Sequence, residues 1–81
     1  MPNAITDEIV TIIAYLEGLT FLDISFANQV TDAGLHAFHE KVYPITKLFV
    51  NGLTSITAAG LHELIASCKS TLKILEASLM N

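Results

Sequence analysis

The feature that most constrains this chain is an internal repeat. Residues 19–35 (LTFLDISFANQVTDAGL) are followed by a second copy at residues 45–61 (ITKLFVNGLTSITAAGL). The two copies share their apolar positions and a Thr-x-Ala-Gly-Leu motif. Partial copies flank this pair at residues 5–7 and 72–77. Because repetition at a fixed period of about 20–50 residues indicates structural units that stack on one another, the sequence predicts a repeat protein.

Each unit is predicted to contain one short strand followed by one helix. Alternating apolar residues predict strands near residues 19–25, 46–51 and 72–78. Helices are predicted at about residues 7–17, 32–42 and 58–68, each after a threonine that can cap its first turn: Thr6, Thr31 and Thr57. The residues expected to face the core from these helices are Ile9, Val10, Ile13, Leu16, Leu35, Phe38, Val42, Leu61, Leu64, Ile65 and Cys68.

Glycine and proline are expected to shape the helix ends and contacts. Gly18, in the left-handed conformation, is expected to end the first helix. Pro44 is expected to close the second, because proline cannot continue a helix. Gly34 and Gly60 stand in the first turns of their helices, where the lack of a side chain lets neighbouring helices approach closely.

The order of elements predicts the fold class. Because every connection between strands passes through a helix, the strands are expected to be parallel and the crossovers right-handed. The predicted fold is α/β: a short right-handed solenoid with three parallel strands on its concave face and three helices on its convex face. Residues 1–81 are expected to form a single domain of about three repeats. The first unit lacks a strand and the last lacks a helix. Both ends are therefore expected to be uncapped, with end-to-end contacts to another chain at the open edges.

The motif resembles the leucine-rich repeats of the cysteine-containing class, known from F-box proteins that select substrates for ubiquitin ligation. That class has a leucine-rich strand, then Ile-Thr-Asp followed by Gly-Leu, then a helix ending near a cysteine. Residues 30–35 match this pattern closely, residues 56–61 match apart from Ala58 in place of the aspartate, and Cys68 stands at the helical cysteine. The resemblance covers residues 5–77 and implies a leucine-rich-repeat solenoid that recognises other proteins. A ubiquitin-ligase adaptor role would need a longer parent protein or a separate partner, because the chain contains no F-box segment.

The chain departs from this class at the corner that follows each strand. The family usually has cysteine or asparagine there, whose side chain satisfies backbone groups of the turn. This chain has apolar residues at the three corresponding positions: Ala27, Leu53 and Met80. The substitution predicts purely apolar packing at the corners and argues against a polar ladder there.

Composition and charge argue against several kinds of partner. The chain is 52% hydrophobic and 15% charged, which is typical of a folded domain. Its net charge of −4, with four Lys and Arg residues in total, argues against nucleic acid or anionic membranes as partners. No apolar run approaches the roughly 20 residues of a membrane span. A single cysteine and a start (MPNAITDE) without a basic targeting region lead us to expect a cytoplasmic or nuclear protein.

The side chains that point out of the concave face are the candidate binding residues. Alternation and parallel stacking predict three rows across the strands: Phe21–Lys47–Ile74, Asp23–Phe49–Glu76 and Ser25–Asn51–Ser78. Isolated apolar residues on a surface need no explanation, but three of them on adjacent strands indicate a contact surface. The predicted partner is a protein or peptide with a basic residue near Phe49. The predicted partner-binding residues are Phe21, Asp23, Lys47, Phe49, Asn51, Ile74 and Glu76.

The histidines and the cysteine are the other groups with possible chemistry. His36, His39 and His62 could share one patch near Glu40 or Glu63. A zinc site, however, normally needs three or four protein ligands in a tetrahedral arrangement, and these residues are expected at exposed helix positions. No metal site or cofactor is therefore predicted, and a small metal-binding protein stays an alternative. Cys68 is expected to be an inert core thiol.

The spacing of acids, histidines and hydroxyl groups suggests no catalytic constellation, so we expect a non-enzyme. The favoured function is a protein–protein interaction module. The alternative is a structural subunit embedded in a larger complex.

Overall fold

The computed structural model describes residues 5–78, so the predicted corner residue Met80 lies outside the described residues. These residues form three α-helices and three strands, which confirms the predicted α/β class and the order of elements. They are α1 (Asp7–Ile13), β1 (Phe21–Asp23), α2 (Asp32–Leu35), β2 (Lys47–Phe49), α3 (Ala58–Ala66) and β3 (Ile74–Glu76). A 3-10 helix, His36–Phe38, directly continues α2. Among residues 5–78, no helix has both the length and the apolar character needed to cross a bilayer.

The strands form one open parallel sheet in the order β1–β2–β3. Leu22 of β1 lies opposite Leu48 of β2, and Leu48 lies opposite Leu75 of β3. These are the pairs that the repeat alignment predicts. Regular pairing covers three residues in each strand, fewer than predicted. Hydrogen bonds beyond the strand ends, such as Ile24 N–H to Phe49 O at 3.0 Å, continue the alignment.

One hydrophobic core joins the sheet to the helices. Leu22 and Leu48, the central residues of β1 and β2, are buried in it. The other buried members are Val10, Ala14, Ile24, Ala27, Val30, Leu35, Phe38, Tyr43, Ile45, Val50, Leu53, Ile56, Leu64 and Cys68. Since Ala27 and Leu53 are among them, the apolar corner is confirmed at both described positions.

All three predicted threonine caps are present. The side-chain oxygen of Thr6 accepts a hydrogen bond from Ile9 N–H, that of Thr31 from Ala33 N–H, and that of Thr57 from Gly60 N–H. In each case the threonine is extended while the next residue is helical. Each cap thus satisfies one of the backbone N–H groups that a helix start leaves without an internal partner.

An aspartate in each of the first two helices links that helix to the threonine cap of the next. The Asp7 carboxylate accepts hydrogen bonds from the Thr31 N–H at 2.7 Å and hydroxyl at 2.6 Å. The Asp32 carboxylate accepts from the Thr57 N–H at 2.9 Å and hydroxyl at 2.6 Å. These two Asp–Thr links hold neighbouring helices side by side. The third helix has Ala58 where the first two have aspartate.

The glycines lie against the Asp–Thr links. A Cβ added at Gly34 would stand 3.0 Å from the Cα of Asp7, and one added at Gly60 would stand 2.7 Å from the Cγ of Asp32. Both distances are too short for a side chain, so the predicted close approach of neighbouring helices is confirmed. Glycine at these positions is required by the neighbouring carboxylate and not by an unusual φ angle.

The second Asp–Thr link should make stability depend on acidity. The Thr57 hydroxyl and, to a smaller extent, its N–H lower the pKa of Asp32, because both stabilise the charged carboxylate. A carboxyl group whose pKa is lowered in the folded state stabilises the protein at pH values above its unfolded-state pKa, about 3.9. This contribution is lost as the pH falls through the lower folded-state pKa. We expect Asp32→Asn to cost about 1 kcal/mol at neutral pH, a modest figure because solvent screens this link.

The difference in the free energy of unfolding between wild type and Asp32→Asn should shrink as the pH is lowered through and below about 3.9. Urea unfolding at several pH values measures it. Glu8→Gln, which removes an exposed carboxylate from the first turn of α1, is the matched control. A difference that stays constant with pH would show that the charge of Asp32 does not stabilise the fold.

The predicted end of the first helix is wrong. α1 ends at Ile13, and Gly18 does not adopt the left-handed conformation. Tyr15 and Leu16 make i→i−3 bonds that tighten the chain after the helix, which leaves Leu16 55% exposed. Ile9 is 40% exposed and also lies outside the core. Val10 is buried as predicted, and Ala14, one helical turn later, is buried with it. The Tyr43 hydroxyl donates a hydrogen bond to the Ala14 carbonyl.

The second helix is also shorter than predicted. It ends in the 3-10 turn at Phe38, and Glu40 has a positive φ of 58°. Val42, predicted to face the core, is 83% exposed, whereas Tyr43 is buried and donates its N–H to the Ser67 carbonyl. The chain leaves the helix early because Tyr43 must turn inward. Pro44, predicted to close this helix, lies six residues beyond Phe38, the last residue of the 3-10 turn, and therefore does not end it.

The third helix follows its prediction more closely. α3 spans Ala58–Ala66, two residues shorter than predicted, and Leu64 and Cys68 are buried. Leu61 and Ile65 are partly buried against the same core. The Ser67 hydroxyl, also buried, donates to the Leu64 carbonyl at 2.6 Å.

Candidate functional site

The candidate site is the sheet face whose side chains point away from the core, here called the outer sheet face. Its first row is Phe21–Lys47–Ile74 and its second is Asp23–Phe49–Glu76, which confirms the predicted register. The alternation arises because the residues between the rows, Leu22 and Leu48, point into the core. Six of the seven predicted binding residues therefore lie in two adjacent rows, and Asn51 follows at the end of β2.

Aromatic and aliphatic side chains form the centre of this face. Phe21 and Phe49 are diagonal neighbours on adjacent strands, with ring centroids 5.5 Å apart at an interplanar angle of 77°. This edge-to-face geometry is favourable for an aromatic pair. Phe21 is 54% exposed and Ile74 is 43% exposed, while Phe49 is partly buried. Apolar surface is thus presented on all three strands.

Charged groups surround the aromatic pair. Asp23 and Glu76 flank Phe49 in the second row, and both are exposed. The Asp23 carboxylate accepts from the Ser25 N–H at 3.0 Å, and that of Glu76 accepts from the Asn51 amide at 3.2 Å. These bonds use one oxygen of each carboxylate and fix its position. A basic group placed over Phe49 would meet negative charge on two sides.

A polar ladder runs along the third predicted row, at one end of the outer sheet face, where the sequence argues against one. The Asn51 N–H donates to the Ser25 hydroxyl oxygen at 3.1 Å, and the Ser78 N–H donates to the Asn51 side-chain oxygen at 2.9 Å. Both polar atoms of the Asn51 side chain are therefore engaged within the protein. The repeat alignment predicts this row of three residues, but not the hydrogen bonds within it.

Comparison with known proteins finds no relative of this chain. No family model, no curated protein and no solved structure matches the chain. Its function is therefore inferred from the residues and geometry of the molecule itself.

Phe26 is a second feature that the sequence analysis missed. It is 68% exposed and has a φ of 63°, which is rare for a bulky residue. Gly52, in the same slot of the next unit, has a φ of 69° and lies directly beneath the Phe26 ring. The repeat thus imposes a left-handed residue after the strand, and Phe26 adopts it at a cost of about 1–2 kcal/mol. Glycine at position 52 was the available signal.

The histidines come together differently from the prediction. His36 and His39 meet Glu63, and not His62, at the surface between the 3-10 helix and α3. A surface cavity of about 460 Å³ lies beside them, lined in part by Phe38, His39, His62 and Glu63. This group of side chains is separate from the outer sheet face.

Cys68 lies in the core, as predicted. It is 1% exposed, and its thiol donates to the Leu64 carbonyl at 3.7 Å. Burial raises the pKa of the Cys68 thiol, and the smaller effect of a hydrogen bond with Ser67 opposes it. A protonated, buried thiol is a poor nucleophile.

Proposed function

We propose that this chain is a non-catalytic protein–protein interaction module of leucine-rich-repeat type, with a binding role similar to substrate recognition by F-box proteins. The outer sheet face is the proposed binding surface. The observation that carries the proposal is the apolar centre formed by the exposed Phe21 and Ile74 and the partly buried Phe49, with charged residues around it. An aromatic anchor surrounded by polar groups is the usual composition of a binding hot spot.

The proposed architecture is a right-handed leucine-rich-repeat solenoid, with the strands on its concave face and the helices on its convex face. Three features support it. The strands are parallel and aligned in the register of the repeat, from Leu22 to Leu48 to Leu75. α2 packs between α1 and α3. The Asp–Thr links repeat with the same geometry from one unit to the next.

The proposed partner is a protein or extended peptide that presents a basic residue beside an apolar one. Asp23 and Glu76 provide two negative charges next to Phe49, while Lys47 provides one positive charge between Phe21 and Ile74. The second row therefore favours a lysine or arginine of the partner, and the first row accommodates an apolar or acidic side chain of the partner. Phe49 supplies the aromatic face on which a guanidinium or ammonium group can also stack. Nucleic acid is not a proposed partner, because the chain has an excess of acidic residues.

The proposal contains no catalytic step and no cofactor. The three cap threonines use their hydroxyl groups in Asp–Thr links or helix caps. The one thiol is buried and its pKa is raised. A cytoplasmic or nuclear location is part of the same proposal, supported by this single unpaired cysteine.

The alternative is a structural subunit of a larger complex. It is favoured by the outer edge of β3, which pairs with β2 on one side alone within residues 5–78. Leu75 there is 42% exposed, although Leu22 and Leu48 in the same row are buried. An exposed strand edge with an apolar residue invites end-to-end pairing with another chain. A fixed neighbour at this edge would support the structural role, and exchangeable ligands on the outer sheet face would support the recognition role.

Peptide selection followed by Phe49→Ala tests the recognition role. Displayed random peptides are selected on the wild-type protein, and the affinity of the selected peptides is then measured by fluorescence anisotropy. The selected peptides should be enriched in lysine or arginine next to an apolar residue. Phe49→Ala should weaken their binding by about 30-fold or more, because truncating a hot-spot residue costs about 2 kcal/mol or more.

The matched control is Val42→Ala, which removes an exposed apolar side chain outside the sheet. It should leave the affinity unchanged, and circular dichroism checks that both variants are folded. Selected peptides that bind Phe49→Ala as tightly as wild type would refute the proposed surface. A selection without enrichment in basic residues would refute the role of Asp23 and Glu76.

A further inference from the structure

Three potential metal ligands converge on the helix side of the molecule, away from the outer sheet face. His36, His39 and Glu63 each offer one ligand atom, and these atoms all lie within 4.8 Å of one another. The Nδ1 atoms of His36 and His39 are 3.2 Å and 3.0 Å from the same oxygen, Oε2 of Glu63. The three side chains are held by two separate elements, the 3-10 helix with its cap residue and α3.

The local backbone explains why the two histidines meet. Side chains three residues apart are eclipsed along a 3-10 helix, because that helix has three residues per turn. His36 begins the 3-10 helix and His39 caps its end, so their rings stack with centroids 5.0 Å apart and an interplanar angle of 14°. Glu63 faces them from the adjacent helix, which the second Asp–Thr link holds in place.

We propose that His36, His39 and Glu63 form a binding site for a divalent transition-metal ion of the zinc type. Two imidazoles and one carboxylate are a donor set that zinc takes, with a fourth position left for water or another ligand. A metal bound there would join the 3-10 helix to α3. This site is independent of the proposed protein-binding surface.

Two of the three distances between ligand atoms agree with such a site, and the third, between the two histidines, is at most 4.8 Å. Tetrahedral zinc with bonds of about 2.0–2.1 Å places its ligand atoms about 3.3–3.5 Å apart. The two histidine–carboxylate distances of 3.2 Å and 3.0 Å are close to this value. The rings must rotate out of their stacked arrangement, because an imidazole binds a metal in the plane of its ring. The side chains are 66% exposed for His36 and 50% exposed for His39, and exposed side chains change rotamer readily.

Glu40 stands beside His39, although beyond hydrogen-bond distance. Its carboxylate lies 3.6 Å from Nε2 of His39, the ring nitrogen opposite the proposed ligand atom. Histidines that bind metals usually donate this other N–H to a carboxylate or carbonyl group, which orients the ring and raises its basicity. Glu63 is the least exposed of these four side chains, at 26%, and so provides the anchored ligand.

A simple ion pair between Glu63 and a protonated histidine would give similar distances without metal, and titration separates the two. Calorimetric titration with zinc chloride should show one site per chain with micromolar affinity. His39→Gln and Glu63→Gln should each weaken zinc binding by at least about 10- to 100-fold, because loss of a residue that only supports a ligand already costs that much. His62→Gln is the matched control, since this exposed histidine on α3 lies outside the three-ligand group.

Thermal unfolding gives an independent readout. Zinc at about 100 times its Kd should raise the Tm of wild type by on the order of 10 °C, because the ion binds the folded state alone. The same shift should occur in His62→Gln and be absent in Glu63→Gln, while magnesium should have no effect on any variant. Zinc binding that is absent in wild type, unchanged in Glu63→Gln, or lost equally in His62→Gln would overturn the assignment.

Discussion

Replacing Gly34 with alanine is expected to destabilise the protein by about 2–4 kcal/mol, although alanine is the better helix former by about 1 kcal/mol. The added Cβ would stand 3.0 Å from both the Cα and the Cγ of Asp7, and closer still to one carboxylate oxygen. That carboxylate holds the Thr31 N–H and hydroxyl at 2.7 Å and 2.6 Å. To make room, α1 must move away from α2 or the Asp–Thr link must break.

The predicted loss combines two effects. Overpacking in a tight contact costs about 1–3 kcal/mol, and hydrogen bonds to a charged group contribute about 1.5–3 kcal/mol. Urea unfolding followed by circular dichroism measures the sum. Gly60→Ala should behave similarly, because its Cβ would stand 2.7 Å from the Cγ of Asp32.

Gly18→Ala is the matched control for these variants. A Cβ at Gly18 would have no neighbouring atom within 4 Å, and its φ is not positive. The change should be neutral or should stabilise by about 0.4–1 kcal/mol, since it reduces the freedom of the unfolded chain. If Gly34→Ala were as harmless as Gly18→Ala, the helices would not be as close as described.

Leu48→Ala is expected to cost about 2–5 kcal/mol, a large part of the total stability of a domain of this size. Leu48 is 0% exposed and occupies the central strand, with Leu22 on one side and Leu75 on the other. Its removal leaves a cavity that β1 and β3 cannot both close, because each is held in register by backbone hydrogen bonds. Thermal and urea unfolding both measure this effect.

Leu75→Ala provides the comparison within the same row. Leu75 is 42% exposed on β3, so its truncation should cost about 1 kcal/mol. The ratio between the two variants therefore reports whether β3 is the edge of the sheet in solution. An equal cost for both, with a stability that depends on protein concentration, would show that another chain covers the edge, as the structural-subunit alternative requires.

The repeat makes much of the architecture predictable from sequence. Aligning its two copies places Leu22 opposite Leu48, and extending the alignment to the last partial copy assigns Phe21, Lys47 and Ile74 to one row. The threonine caps are predictable because their side-chain chemistry acts within a single turn. These features depend on local chemistry and on periodicity alone.

The features that could not be predicted depend on contacts between units. Helix α2 ends early because Tyr43 enters the core, and no signal within residues 32–42 indicates this. The early end places His36 and His39 on a 3-10 turn, which directs them to Glu63 and not to His62. The sequence predicts Asp7 as a first-turn residue of α1. In the structure its carboxylate also accepts hydrogen bonds from Thr31, which caps α2.

Solution NMR of the wild-type protein tests the stacking of repeats most directly. The parallel register predicts nuclear Overhauser contacts between the side chains of Leu22 and Leu48, and between those of Leu48 and Leu75. It also predicts that the backbone of Phe21 is paired with Lys47. A pattern that instead pairs the Phe21 backbone with Phe49, as antiparallel strands would, or that lacks contacts between strands, would contradict the account.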